Sequence, residues 1–204
     1  KLFLSETHLY IGICMDNMKK STDEIIWNRF LEGDEKAYAL IYTMYASQVY
    51  SYGMRFTDDT ELVKDCMHDV FVKIYQNRET LAFVDNIKLY LFIAMKSSLF
   101  NVFRKDKDLF NNDTIEPVFS PSYTIEQEMI LIEEQKYCRE KIEQMLDSLT
   151  PRQKEVIYYR YIENLSYQEI EEIMKMNYQS IHNLIQRSIK KLRTNFAHSF
   201  TYLC

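Results

Sequence analysis

The sequence predicts an all-α fold: two helical domains joined by a flexible linker, the second built around a helix-turn-helix. Three observations carry that prediction. Glycine and proline occur three times each in 204 residues, whereas sheets and their tight turns use those breakers heavily. Apolar residues recur at three- and four-residue spacing through two long blocks, the period of helices buried on one face. Between the blocks, "DKDLFNNDTIEPVFSPSY" loses that period and gathers Asn, Asp and two of the three prolines, a composition suited to an interdomain linker.

Composition narrows the function classes. Apolar residues make up 47% and charged residues 27%, which favours a folded chain over a disordered one. The length suits one large or two small domains. No glycine follows Gly53, and neither a GxGxxG nor a Walker-type loop occurs, so nucleotide chemistry on a Gly-rich phosphate cradle is excluded. Cys14, Cys66, Cys138 and Cys204 form no CxxC pair and read as reduced thiols of a cytoplasmic protein. No apolar run reaches the ~18 residues of a membrane span, so a soluble protein with no membrane partner is expected. Residues 1–21 carry an acidic residue and a histidine inside their apolar run, which makes a poor signal peptide. They read as a tail of cloning origin or as a start assigned too early, with Met15 or Met18 the true beginning.

The first domain is expected over 22–105. In "AYALIYTMYASQVYSYGMRF" apolar residues fall at 38, 41, 42, 45, 49, 52 and 56, one helix face. Thr57 to Asp59 then caps a second helix with a stripe of Leu62, Cys66, Val70, Phe71 and Ile74. Its opposite face holds Asp65, His68, Asp69, Lys73 and Gln76. A polar loop, "NRETLAFVDN", leads to "IKLYLFIAMKSSLFNVFRK". Residues 89–95 there are apolar all round, so that helix starts buried and then emerges. From Lys88 to Lys107 it has five basic residues against one acidic.

The linker is expected over 106–123, the second domain over 124–197 and a C-terminal tail over 198–204. Thr124 with Gln127, Thr150 with Gln153, and Ser166 with Glu169 fit the capping box. Pro151 takes the first-turn position that proline prefers, and Asn177 can cap the last helix. Helices are therefore expected near 124–147, 151–161, 166–175 and 178–195. Only "KMN" separates the last two, which together form a helix-turn-helix.

The last helix is basic in an acidic chain. Its segment 178–204 has four basic and no acidic residues, while the whole chain has a net charge of −5. Ile181, Leu184, Ile185, Ser188, Ile189 and Leu192 form one inward face. Outward lie Gln179, His182, Asn183, Gln186 and Arg187, then Lys190, Lys191 and Arg193. Asn, Gln and Arg can make paired hydrogen bonds to base edges, and lysine suits phosphate. Basic residues also favour helix C-termini for local reasons, but a helix-turn-helix directly before them tips the reading to DNA contact.

"LTPRQKEVIYYRYIENLSYQEIEEIMKMNYQSIHNLIQRSIKKLR" (149–193) resembles domain 4 of the extracytoplasmic-function sigma factors of bacterial RNA polymerase. "DCMHDVFVKIYQNR" (65–78) resembles the D-x-x-Q-D-V-F-x-x-x-W helix of sigma domain 2, and 87–105 its promoter-melting helix. The resemblance covers roughly 23–105 and 126–195. His68 and Tyr75 depart from the family's usual Gln and Trp. Glu171 and Lys175 replace the small residue and glycine common in its helix-turn-helix, so Lys175 or Asn177 is expected at positive φ.

The resemblance implies a transcription initiation factor whose partners are core RNA polymerase and promoter DNA, and it admits an anti-sigma factor as a third. The β′ clamp would meet Asp65, His68, Asp69 and Gln76. The −10 element would meet Asn77, Arg78 and Asn86 at a flipped-base loop, then Lys88, Lys96, Asn101, Arg104 and Lys105. The −35 element would meet Tyr178, Gln179, His182 and Asn183, then Gln186, Arg187, Lys190 and Lys191. Another surface of domain 4 would meet the β flap. Cations beside Tyr90, Phe100 and Phe103 suit single strands, although most of those aromatics read as core. Residues 126–150 carry seven acidic and three basic side chains, consistent with DNA binding kept weak until polymerase adds affinity.

Two other readings compete. A stand-alone helix-turn-helix regulator accounts for 150–195 but leaves the 61–105 resemblance as coincidence. His68-Asp69 is the dipeptide of HD-type metal phosphohydrolases, which need further His and Asp ligands. The remaining histidines, His8, His182 and His198, lie in the tail, the basic helix and the C-terminal end. No catalytic residue, cofactor or metal is expected.

Overall fold

A computed structural model describes residues 22–110, 119–120 and 145–196. The expected tails, the Thr124–Gln127 pair and the helix before 145 lie outside the described residues. So do Cys14, Cys138, Cys204, His8, His198 and most of the expected linker. Every regular element among the described residues is helical, and none is a strand. These residues divide into two compact units, 22–53 with 61–101, and 54–60 with 102–110, 119–120 and 145–196.

The first unit holds α1 (22–31), α2 (Glu35–Gly53), α3 (Thr60–Gln76), a 3₁₀ turn (Arg78–Thr80) and most of α4 (Ile87–Phe110). Gly33, at φ 98°, ends α1: its N–H donates to the Phe30 carbonyl and that of Asp34 to the Arg29 carbonyl, both at 3.0 Å. This is the glycine-dependent close of a helix. Asp34 then starts α2, accepting from the N–H groups of Lys36 (2.8 Å) and Ala37 (3.3 Å). The Arg29 guanidinium beside it holds its carboxyl below the usual range.

Ile41, Tyr45, Val49 and Tyr52 form the buried face of α2, close to the expected stripe. Tyr42, expected inward, is 45% exposed and sets its ring edge-on to Phe71 at 4.8 Å. In α3 the buried stripe is Val63, Cys66, Val70, Phe71 and Ile74. Val63 rather than Leu62 takes the fully inward position. Trp27 is fully buried between Phe30 and Tyr90, each ring at 5.3 Å, and its Nε1 donates to the Ala82 carbonyl at 3.1 Å. That bond ties the loop before α4 to α1. Tyr52 and Phe92 stack in parallel at 4.1 Å. Each such buried aromatic contributes roughly 1.5–3 kcal/mol.

Gly53 marks a close approach. A Cβ there would stand 2.4 Å from Met95 Cε and 2.8 Å from Val63 Cγ1, so only glycine lets these helices meet without displacement. Leu89, Leu91, Phe92, Met95 and Leu99 are buried in α4, whereas Asn101, Arg104 and Lys105 are exposed. The helix emerges as expected and continues to Phe110, five residues past the expected domain boundary at 105.

The second unit holds a helical end at 145–147, α5 (Pro151–Ile157), a π-helical segment (Tyr158–Ile162), α6 (Tyr167–Met174) and α7 (Tyr178–Phe196). Both described capping boxes are formed. Thr150 Oγ1 accepts from the Gln153 N–H, and Gln153 Oε1 accepts from that of Thr150. Ser166 and Glu169 do the same at 3.2 and 2.8 Å. The expected single helix over 151–161 changes pitch midway. Glu163 N–H reaches back five residues to the Tyr158 carbonyl (3.1 Å) and Leu165 N–H six to that of Tyr159 (2.9 Å). Side-chain pairs hold the widened turn: Tyr159 Oη donates to Glu155 at 2.9 Å, and Tyr158 Oη to Glu163. Burial pushes the Tyr158 phenol far above its ordinary value.

Two residues of the expected linker are described. Phe119 is buried, with ring contacts at 5.3 Å to both Phe56 and Tyr158, and Ser120 N–H donates to the Arg55 carbonyl at 2.7 Å.

Candidate nucleic-acid interface

The turn before α7 sets how its first residues are presented. Lys175 is left-handed, at φ 51° and ψ 47°, and its N–H and that of Met176 both reach the Glu171 carbonyl. This is the helix close that glycine usually makes, here made by lysine as expected. Asn177 Oδ1 accepts from the Ser180 N–H at 2.9 Å and starts α7.

Ile181, Ile185 and Ser188 form the buried face of α7. The Ser188 hydroxyl is satisfied within the helix by the Leu184 carbonyl at 2.7 Å, so a polar residue serves on the inward stripe. The opposite face carries Gln179, Asn183, Gln186, Arg187, Lys190 and Lys191, all exposed. Tyr178 is 51% exposed and His182 is half-buried. Gln179 Nε2 donates to Asn183 Oδ1 at 3.1 Å, and Arg187 Nε to the Asn183 carbonyl at 3.3 Å. Asn183 thus links an amide pair to the arginine. No acidic residue lies between Tyr178 and Phe196, so the face is positively charged along its length, a charge that suits phosphate.

Sequence reasoning missed the residues that support the start of this helix. The Tyr167 ring, at the first position of α6, lies 5.1 Å from Tyr178 and 6.2 Å from His182. Tyr178 and His182 stack at 6.1 Å. The Arg160 guanidinium sits over Tyr167 at 5.2 Å, and its Nη1 donates to the Leu165 carbonyl at 2.9 Å. Tyr167 follows the Ser166 cap, which was legible, but its approach to α7 depends on the packing of two helices.

The residues expected at the −10 element have mixed roles. Asn77 Nδ2 donates to the Lys73 carbonyl at 2.8 Å, and its own carbonyl accepts from Thr80 Oγ1 at 2.9 Å. Asn86 Oδ1 accepts from the Leu89 N–H at 3.0 Å. The two asparagines therefore cap the helices on either side of the loop. The Arg78 guanidinium packs beside Gly33, 3.7 Å from where a Cβ would stand. Lys88 lies over Phe92 (5.6 Å) and Lys96 over Phe100 (5.7 Å), four residues apart on α4. Asn101, Arg104 and Lys105 lie further along the same helix, exposed.

Asp65, His68, Asp69 and Gln76 are all exposed on α3, away from Val63, Cys66, Val70 and Ile74. Beside them Tyr75 is partly exposed, its ring 5.0 Å from Tyr38. Burial raises the Cys66 thiol above its ordinary value, which makes it a packing residue rather than a nucleophile. Among the described residues no three His, Cys, Asp or Glu side chains are grouped to hold a metal ion, and no helix is long and apolar enough to cross a membrane. None of the described residues forms such a group around His68-Asp69.

The Sigma-70 region 2 family matches residues 41–108, and the Sigma-70, region 4 family matches residues 139–192. RNA polymerase sigma factor YlaC of Bacillus subtilis is 24% identical over 160 residues, covering 78% of this chain and 91% of that protein. ECF RNA polymerase sigma factor SigM of the same organism is 22% identical over 160 residues, covering 75% and 91%. The sigma factor RpoE of Bartonella quintana, solved with the anti-sigma factor NepR, shares the fold at a TM-score of 0.57 and 15% identity, covering 78% of this chain and 96% of that one.

Proposed function

The chain belongs to the sigma-70 family, in its extracytoplasmic-function group, and from that premise we propose how its residues divide the work of promoter recognition. It is a transcription initiation factor that binds core RNA polymerase and directs it to promoter DNA. Residues 22–105 act as domain 2 and 124–197 as domain 4, with 106–123 between them. Asp65, His68, Asp69 and Gln76 dock on basic surface of the β′ clamp. Lys88, Lys96, Asn101, Arg104 and Lys105 track the −10 strand, while Asn77, Arg78 and Asn86 shape and line the loop that receives a flipped base. Tyr178, Gln179, His182 and Asn183, with Gln186, Arg187, Lys190 and Lys191, enter the major groove of the −35 element. Another face of domain 4 meets the β flap.

One observation carries this reading. The exposed side of α7 combines an amide pair and an arginine, which suit base edges, with lysines further along, which suit phosphate. The chain's own contribution is binding and positioning, not catalysis, and its place of action is the cytoplasm, where polymerase and promoter meet. An anti-sigma factor, the partner present in the RpoE structure, completes the proposal as a reversible competitor for polymerase.

Run-off transcription tests it. Core polymerase with this chain should initiate at selected promoters carrying both a −35 and a −10 element, and core alone should not. DNA binding by the chain without any association with core would favour the stand-alone regulator instead. Limited proteolysis tests the domain division: first cuts should fall within 106–123, and early cuts inside 35–100 would refute it.

A further inference from the structure

The start of α7 carries two kinds of surface side by side. Gln179 and Asn183 form the amide pair, and one residue back in each turn Tyr178 and His182 form an aromatic one. The aromatic pair is braced from outside the helix. Tyr167 reaches both rings from α6, and Arg160 holds Tyr167 from the π-helical segment, at 5.2 Å. Three elements therefore converge on a stacked shelf that stays partly open, with Tyr178 half-exposed. A polar helix face gains nothing in water from such a brace, since an exposed tyrosine needs no support.

The residues at the N-terminal end of a recognition helix are the ones that reach base edges. A ring face offers no hydrogen bond to those edges. The major groove presents one apolar group alone, the C5-methyl of thymine. We propose that the Tyr167–Tyr178–His182 stack is a specificity-determining shelf that reads a thymine methyl group in the −35 element, with Arg160 and Tyr167 as its positioning residues. The neighbouring Gln179–Asn183 amides have the donor and acceptor pattern that suits adenine, so shelf and amides together favour a run containing A·T pairs. This rests on the reading of α7 as the −35 helix.

The test uses the full chain bound to core polymerase. A −35 element is first selected from a randomised duplex, and each thymine in it is then replaced by deoxyuridine, which lacks only the methyl group. The wild type should lose about threefold to fivefold in affinity at one or two positions, the worth of one buried methyl. Tyr178→Ala should bring the thymine-to-uracil ratio at those positions close to one, and Tyr167→Leu, which keeps apolar packing without the ring, should reduce it. Lys191→Ala should weaken both duplexes and leave the ratio intact. A ratio of one at every position in the wild type, a selected element with no thymine, or a ratio unchanged in both tyrosine variants overturns the shelf alone. A selection that returns no −35 preference overturns the sigma-type reading of α7 and the shelf with it.

Discussion

The hydroxyl of Tyr45 donates to Oδ1 of Asp23 at 2.5 Å, and both side chains are buried. Asp23 is the second residue of α1, where the helix N-terminus favours a carboxylate. The bond joins α1 to the centre of α2. Tyr45→Phe keeps the ring and removes the donor, leaving a buried carboxylate short of one partner. The expected loss is about 3 kcal/mol in urea unfolding, and a loss below ~0.5 kcal/mol would show that Asp23 does not depend on Tyr45. The pH dependence follows from the phenol. Burial first, and Asp23 second, hold Tyr45 far above its ordinary value. Its contribution is complete below the unfolded value near ~10 and is lost as pH rises beyond it. Burial also raises Tyr38, Tyr90 and Tyr158, so wild-type stability should fall above pH ~10. Tyr45→Phe should fall less steeply there.

Lys175 holds a conformation that glycine adopts without a Cβ penalty. Lys175→Gly should therefore raise the stability of the second unit by about 0.5–1 kcal/mol, the gain from removing left-handed strain less the added freedom of the unfolded chain. Because the Met176–Glu171 bond already fixes the turn, −35 affinity should stay unchanged. A fall in stability would mean that the lysine side chain contributes a contact outweighing its strain.

The local signals were legible in the sequence, and the long-range ones were not. Thr150 and Ser166 each announce a helix through a partner three residues on, Asn177 does so by its residue type alone, and each cap is formed. The inward stripe of α7 follows from period alone, with Ile181 and Ile185 buried. Leu62 and Val63 are both apolar, and period cannot choose between them. The close approach of α2, α3 and α4 at Gly53 does, by drawing Val63 inward. Asn77 and Asn86 read as −10 contacts, and each also makes a helix-end bond, a second role that an asparagine flanking a helix equally signals. The π-helical turn rests on Tyr159 with Glu155, a four-residue pairing that also fits an ordinary helix, and on Tyr158 with Glu163, a five-residue pairing that the widened turn brings together. Arg160 and Tyr167 join the start of α7 only once three elements have packed.

Asp65 and Asp69 lie four residues apart on the exposed side of α3. Exposed carboxylates contribute little to folding, so replacing both by alanine should move stability by no more than ~0.5 kcal/mol per site. If this side meets a basic surface of the clamp, the double variant should associate with core polymerase more slowly and bind it less tightly, most clearly at low salt. Affinity measured at two salt concentrations, beside the thermal midpoint, separates the effects. Unchanged core affinity in a folded variant would remove this face as the docking site.

Arg187 and Lys191 are both exposed cations on α7, yet their surroundings suit them to different work. Arg187 is drawn back onto its helix by the bond from Nε to the Asn183 carbonyl, beside the amide pair. A guanidinium fixed at one nitrogen still offers its two terminal groups as a fork for guanine. Lys191 lies one turn further on and points a single charge, which suits phosphate. In the holoenzyme, Arg187→Ala should therefore cost about 1–3 kcal/mol on the preferred promoter and relax the preference at one −35 position. Lys191→Ala should weaken all duplexes alike and lower the slope of log affinity against log salt by about one, the release of one counterion. The measurement is affinity for preferred and single-substituted promoters across a salt series. Loss of preference at a base position in Lys191→Ala, with uniform weakening in Arg187→Ala, would reverse the two roles, and matching profiles would dissolve the distinction.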